Sequence, residues 1–126
     1  MNLLGDFCTI LRKSGEETEF EYLLSLNKEH FIYRSHFPGN PVTPGVCIIQ
    51  LGKELTEHHL NTPLTLTRIV NVKFLSVINP LVHDTVHAKF TLVQHDETGY
   101  KLHVTMGREE TLFAKMTLYL QRNRIT

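Results

Sequence analysis

Between Ser35 and Gln50 the chain reads SHFPGNPVTPGVCIIQ, and the residue types there fit acid–base chemistry. His36 carries a side chain whose ordinary pKa lies near neutrality, which suits a general base. Pro38, Pro41 and Pro44 fix φ at every third position and bias each preceding residue toward extended backbone, so the histidine sits in a stiff loop. Thr43 reads as an N-cap, Pro44 as the first helical residue, and Val46 to Ile49 as the start of an apolar helical run. Gly45 then offers a backbone N–H at the positive end of that helix, with no side chain to cover it. A base beside such a donor outlines a reaction centre in which negative charge developing on an oxygen is stabilised. Taken singly, His36 would be a loop histidine bonded to backbone, and Gly45 a helix-start residue without chemical consequence. Farther along the same helix, Gln50 and Glu54 are spaced i,i+4 and share one face.

The string HFPGNPVTPGV resembles the signature of the β-hydroxyacyl-acyl-carrier-protein dehydratases, which have the hot-dog fold. VKFLSVINP, from Val72 to Pro80 and followed by Asp84, is similar to that family's strand-and-turn pattern, with Leu81 and Val82 in place of its usual glycine turn. The resemblance runs from about Phe20 onward, and the amino-terminal end is shorter than in the family. It implies a single α+β hot-dog domain over residues 1–126, an antiparallel sheet wrapped around a central buried helix. It further implies dimers formed by joining sheets edge to edge, with the histidine and the acid of one site drawn from different subunits. The chemistry it implies is removal of the C2 proton of a 3-hydroxyacyl thioester by His36, with the Gly45 N–H bonding the thioester oxygen. No cofactor is implied, and the partner is an acyl carrier protein in fatty-acid or polyketide/polyene-type synthesis.

The departure from the family is at Gln50, fourteen residues after the histidine, where Glu or Asp is usual. Glutamine has no carboxylic proton but can orient a hydroxyl or a water through its amide. Relatives commonly carry Gln where this chain has Glu54. The two side chains are therefore read as exchanged, with Glu54 supplying the acid, directly or through water, and Gln50 as its hydrogen-bond partner. The alternative for Glu54 is a surface ion pair.

The elements that must position these groups follow from periodicity. Residues 7–12 read as a first strand, with a polar turn at Ser14-Gly15-Glu16. Phe20, Tyr22, Leu24 and Leu26 alternate with polar residues as in a half-buried strand. A helix follows from about Pro44 to His59, stopped by Asn61 and Pro63, and its apolar first half predicts burial on most sides. Alternation is partial in Leu66–Phe74 and clean at Val86, Ala88, Phe90 and Leu92. It is clean again in two more runs, beginning at Tyr100 and Leu112, with a hairpin turn at Asp96-Glu97-Thr98-Gly99 between the first two. Several amphipathic strands and one apolar helix suit a sheet whose apolar face the helix covers, and the resemblance implies that the apolar residues of both line an acyl tunnel.

Composition limits the alternatives. Lys plus Arg and Asp plus Glu both number 13, which gives no overall field for nucleic acid or an anionic membrane. No apolar run approaches a membrane span and the start MNLLGDFC is no signal peptide, so a cytosolic protein is expected. Cys8 and Cys47 lack disulfide or metal spacing, and the eight histidines form no tetrahedral set. Cys47 in the helix's first turn could pair with His36 as a nucleophile, but inside an apolar run it reads as packing. Glu16, Glu17, Glu19 and Glu21 read as a solvated turn, and Arg122 and Arg124 as a tail able to meet an acidic carrier. Two other function classes stay open. One is a hot-dog thioesterase in which Glu54 activates water, and the other is a non-catalytic acyl-carrier-binding module.

Overall fold

In the computed structural model, which describes residues 2–123, the strands are β1 (Cys8–Gly15), β2 (Glu19–Leu26), β3 (Leu64–Phe74), β4 (Thr85–His95), β5 (Gly99–Arg108) and β6 (Thr111–Arg122). They form one antiparallel sheet in the order β1-β2-β4-β5-β6-β3, so β1 and β3 are its edges. A short helix α1 (Phe31–Ser35) and a long helix α2 (Gly45–Leu60) lie between β2 and β3. The apolar faces of the strands, among them Phe20, Leu24, Phe90, Val104 and Leu118, are buried together with Cys47, Ile48, Leu51 and Leu55 of α2. Burial of this two-layer kind is what the clean alternation in β2, β4, β5 and β6 encodes. The helix comes close to the sheet: a Cβ at Gly52 would meet Leu118 Cδ1 at 3.0 Å.

Several boundaries differ from the sequence reading. β1 runs through Ser14 and Gly15, past the predicted turn, because this edge strand is exposed over most of its length and shows no alternation. α1 was not anticipated; His30 caps it, its Nδ1 accepting from the Ile32 N–H at 3.2 Å while its Nε2 faces Asp6 at 3.1 Å. α2 starts one residue later than expected, with Pro44 as N-cap and no side-chain cap. Thr43 does not cap it, since its hydroxyl is turned into the core against the Tyr33 hydroxyl at 2.8 Å. The exposed Val46 also shows that one side of the first turn faces outward rather than into the core. At the other end Asn61 takes the left-handed conformation that closes a helix, φ 52°, as expected of an Asn there. In the turn before β4, Asn79 replaces the missing glycine: its side-chain oxygen accepts from Leu81 N–H and its carbonyl from Val82 and His83.

The last turn of α2 carries a pH-sensitive contact. The His59 ring stacks on Phe20 with centroids 3.6 Å apart, its Nε2 lies 3.1 Å from the Glu17 carbonyl, and its Nδ1 is buried without a partner among the described residues. Burial lowers its pKa from 6.5, and nearby Lys13 and His58 add to the effect against the Glu17 carbonyl. The fold therefore favours the neutral ring. Its contribution is fully present above the unfolded value of 6.5 and is lost as pH falls through the folded one, because the unfolded chain takes up the proton first. The urea midpoint should drop between pH ~7.5 and ~5, and drop less in His59→Gln.

Candidate functional site

His36 closes α1: its backbone N–H bonds to the Ile32 carbonyl, and its own carbonyl accepts from Val42 N–H at 2.6 Å. Phe37 and Asn40 exchange backbone bonds of 2.9 and 2.8 Å across a turn in which Gly39 takes φ 77°. The His36–Phe37 peptide is cis. Thr43 N–H then bonds to the Ile78 carbonyl at 2.9 Å, tying the loop to the segment after β3. The loop is thus braced through its backbone. The His36 imidazole is exposed and makes no hydrogen bond among the described residues, its nearest ring neighbour being Phe37 at 5.4 Å.

Gly45 is the first residue of α2, so its N–H precedes the first i−4 bond, which joins Ile48 to Pro44. The Phe74 ring covers the glycine so closely that a Cβ there would meet Phe74 Cζ at 2.7 Å. Beside them opens a cavity of about 390 Å³, lined by Val42, Gly45, Ile48, Phe74, Leu75 and Ile78 among others. Only a residue without a Cβ lets the distal edge of the Phe74 ring come this close at the cavity wall. The two positions should therefore couple. Gly45→Ala alone is expected to reduce turnover by pushing the ring aside, and Phe74→Ala in the same chain to recover part of the loss. Measured in a double-mutant cycle, additive losses would mean that the ring is not the obstacle.

Gln50 and Glu54 are in direct contact, Gln50 Nε2 donating to Glu54 Oε2 at 2.8 Å. Glu54 is only 6% exposed, and its carboxylate also accepts the Leu3 N–H (2.8 and 2.9 Å) and the Leu4 N–H (2.9 Å). Both oxygens serve as acceptors. This clamp holds an amino-terminal segment whose Leu3 and Phe7 side chains are buried, with Phe7 stacked on Tyr33 at 5.3 Å. Sequence reasoning missed the segment, although Leu3, Leu4 and Phe7 are a cluster of apolar residues that needed a place. It missed Phe74 as well, because ring-over-glycine packing has no periodic signature. Cys47 is buried and its thiol pushed up by desolvation; burial and the charge of Glu54 raise Cys8 to about 12. Neither is a poised nucleophile.

The structure thus brings together Gln50 with Glu54, and Gly45 with Phe74. No hydrogen bond among the described residues joins His36 to Gly45 or Glu54. Three His, Cys, Asp or Glu side chains converge nowhere among those residues to hold a metal.

A family model described as ApeI-like, ApeI dehydratase, matches residues 12–116. Among solved structures, the dehydratase heterocomplex ApeI:P from Xenorhabdus doucetiae superposes with a TM-score of 0.72 at 19% identity, covering 90% of this chain and 96% of that one. A hypothetical thioesterase with coenzyme A from Streptococcus pneumoniae gives 0.66 at 12% identity, covering 92% and 85%. A thioesterase from Haemophilus influenzae gives 0.64 at 16% identity, covering 90% and 76%. No curated protein matches the sequence. These likenesses establish the α+β hot-dog fold, which dehydratases and thioesterases share.

Proposed function

The chain belongs to the ApeI-like dehydratase family, and from that membership we propose that it dehydrates a 3-hydroxyacyl group carried as a thioester on acyl carrier protein. The observation that carries this reading is His36, an unencumbered imidazole on a loop braced through its own backbone at both ends. A base held still but left free is equipped for proton abstraction. His36 takes the proton from C2, the Gly45 N–H bonds the thioester oxygen as negative charge develops there, and the C2–C3 double bond forms as the C3 hydroxyl leaves. The hydroxyl leaves as water with a proton returned by the His36 imidazolium, so the enzyme ends unchanged. Gln50 orients that hydroxyl, and Glu54 is the positioning residue that holds Gln50. No cofactor enters, because the thioester itself acidifies C2.

The site needs a second subunit in this proposal. β3 is an open edge, and next to it Phe74, Leu75, Val77 and Val46 expose apolar side chains around the Gly45 cavity. Pairing edge to edge through β3 would satisfy the free backbone groups and cover this patch. The relative from Xenorhabdus doucetiae is a heterocomplex, so the second subunit here is either another copy or a related chain, which native mass spectrometry separates.

The test is intact-mass spectrometry of a 3-hydroxyacyl carrier protein incubated with the enzyme. Loss of one water supports the proposal. Release of free carrier thiol would replace it with a thioesterase, and an unchanged mass with binding retained would replace it with a carrier-binding module.

A further inference from the structure

All 13 acidic residues lie outside β3, β4, β5 and β6, while these four adjacent strands carry lysines and arginines throughout. On the face of the sheet away from α2, the register sets residues in rows across β5, β6 and β3. Thr105, Lys115 and Lys73 form one row, and His103 and Thr117 lie in the next. Lys101 and Arg68 flank Tyr119 in a third row, and both cations rest on its ring, at 5.5 and 5.2 Å. Lys73 and Lys115 have no such relief. They stand directly opposite each other, an arrangement that costs free energy, and neither has an ion-pair or hydrogen-bond partner among the described residues.

A local device creates this pairing. Between Val70 and Lys73 the β3 register shifts, and Asn71 takes the left-handed φ of 53°. Without the extra residue Val72 would stand opposite Lys115, and Lys73 would turn to the other face. The bulge instead re-aims Lys73 outward. A cleft of about 360 Å³ opens at this spot, lined by Asn71, Lys73, His103, Thr105, Lys115 and Thr117 among others. The Thr117 hydroxyl engages His103 Nδ1 at 3.0 Å, which leaves the imidazole Nε2 for a ligand.

We propose that this cleft is a binding site for a phosphate ester, held by Lys73, Lys115 and His103. A tetrahedral dianion is the ligand that turns two facing ammonium groups from a repulsive pair into a chelating one. Phe74, the next residue along β3, turns to the opposite face and covers Gly45. The cleft and the proposed reaction centre therefore lie on the two faces of one strand end. Naming the anion as the phosphate of the thioester's own arm rests on the proposed function; the anion site does not. Edge pairing through β3 would leave this outer face open.

The experiment compares wild type with the Lys73→Met/Lys115→Met double variant by calorimetric titration of coenzyme A, inorganic phosphate and pantetheine, with a thermal melt to confirm folding. Coenzyme A should bind wild type at least about tenfold more tightly than the double variant, and pantetheine, which lacks phosphate, equally to both. Inorganic phosphate bound by wild type as tightly as coenzyme A would overturn the assignment to the arm. Equal affinity of both proteins for coenzyme A and for phosphate would overturn the site. Turnover of a 3-hydroxyacyl N-acetylcysteamine thioester, which carries no phosphate, should be the same in both proteins. Its absence from both would count against the dehydratase reading and leave the titrations to judge the cleft.

Discussion

Replacing His36 with alanine is expected to slow water loss from a 3-hydroxyacyl carrier substrate by about 10²–10⁴-fold, the span that a positioned acid–base group commonly contributes. The size of the effect follows from how little else the side chain does. The imidazole is exposed and accepts or donates no hydrogen bond among the described residues, whereas both bonds that His36 gives the loop come from its backbone. Alanine keeps that N–H and that carbonyl. The melting temperature should therefore stay near that of wild type, a surface change being worth within about 0.5 kcal/mol. Intact-mass assays paired with a melt check both halves. A folded variant that still eliminates water would remove His36 from the role of base, and an unfolded one would overturn the stability half of the expectation.

Glu54→Ala should give the largest change in stability. It removes the acceptor of the Leu3 and Leu4 amides and of the Gln50 side chain, in surroundings where Leu3 is 1% exposed. Each of the two backbone donors left without a partner costs about 1–3 kcal/mol, so a total of about 2–6 kcal/mol is expected in a urea titration. Glu54→Gln separates structure from chemistry. Its single carbonyl oxygen can still accept from Leu3 or Leu4, so much of the stability should return. If Glu54 acts only by holding Gln50, turnover should be partly recovered as well. A well-folded Glu54→Gln protein without activity, beside an active Gln50→Ala, would make Glu54 the acid itself.

The sheet was legible because the central strands alternate over most of their length. Phe20, Tyr22, Leu24 and Leu26 are buried as their alternation predicts, and so are Leu102, Val104 and Met106. Edges broke the rule. β1 faces solvent over most of its length and β3 carries two register shifts, so neither shows a steady period. At the helix start, local chemistry favoured Thr43 as a cap, but a buried Tyr33 hydroxyl claimed its oxygen. The proximity of Gln50 to Glu54 followed from helical spacing alone, whereas the contact of Glu54 with Leu3 spans 51 residues of sequence and has no local signal. Phe74 over Gly45 is of the same kind, since a long-range contact is fixed only once the sheet has formed.

The partition of charge across the sheet has a consequence for how this molecule moves toward others. A formal net charge of zero suggests electrical indifference. Yet Glu16, Glu17, Glu19 and Glu21 gather at the β1–β2 end, while the lysine rows lie on β5, β6 and β3 at the far side of the strand order. These groups give the sheet a charge asymmetry, which Arg12 and Lys13 on β1 and Glu109 and Glu110 in the β5–β6 turn reduce. A uniform field exerts no net force on a neutral dipole but does turn it, so a charged body approaching within a Debye length of about 8–10 Å would rotate this one before touching it. An anionic partner would meet the lysine-bearing face first, and raising the salt concentration would randomise the encounter without altering a single contact in the fold.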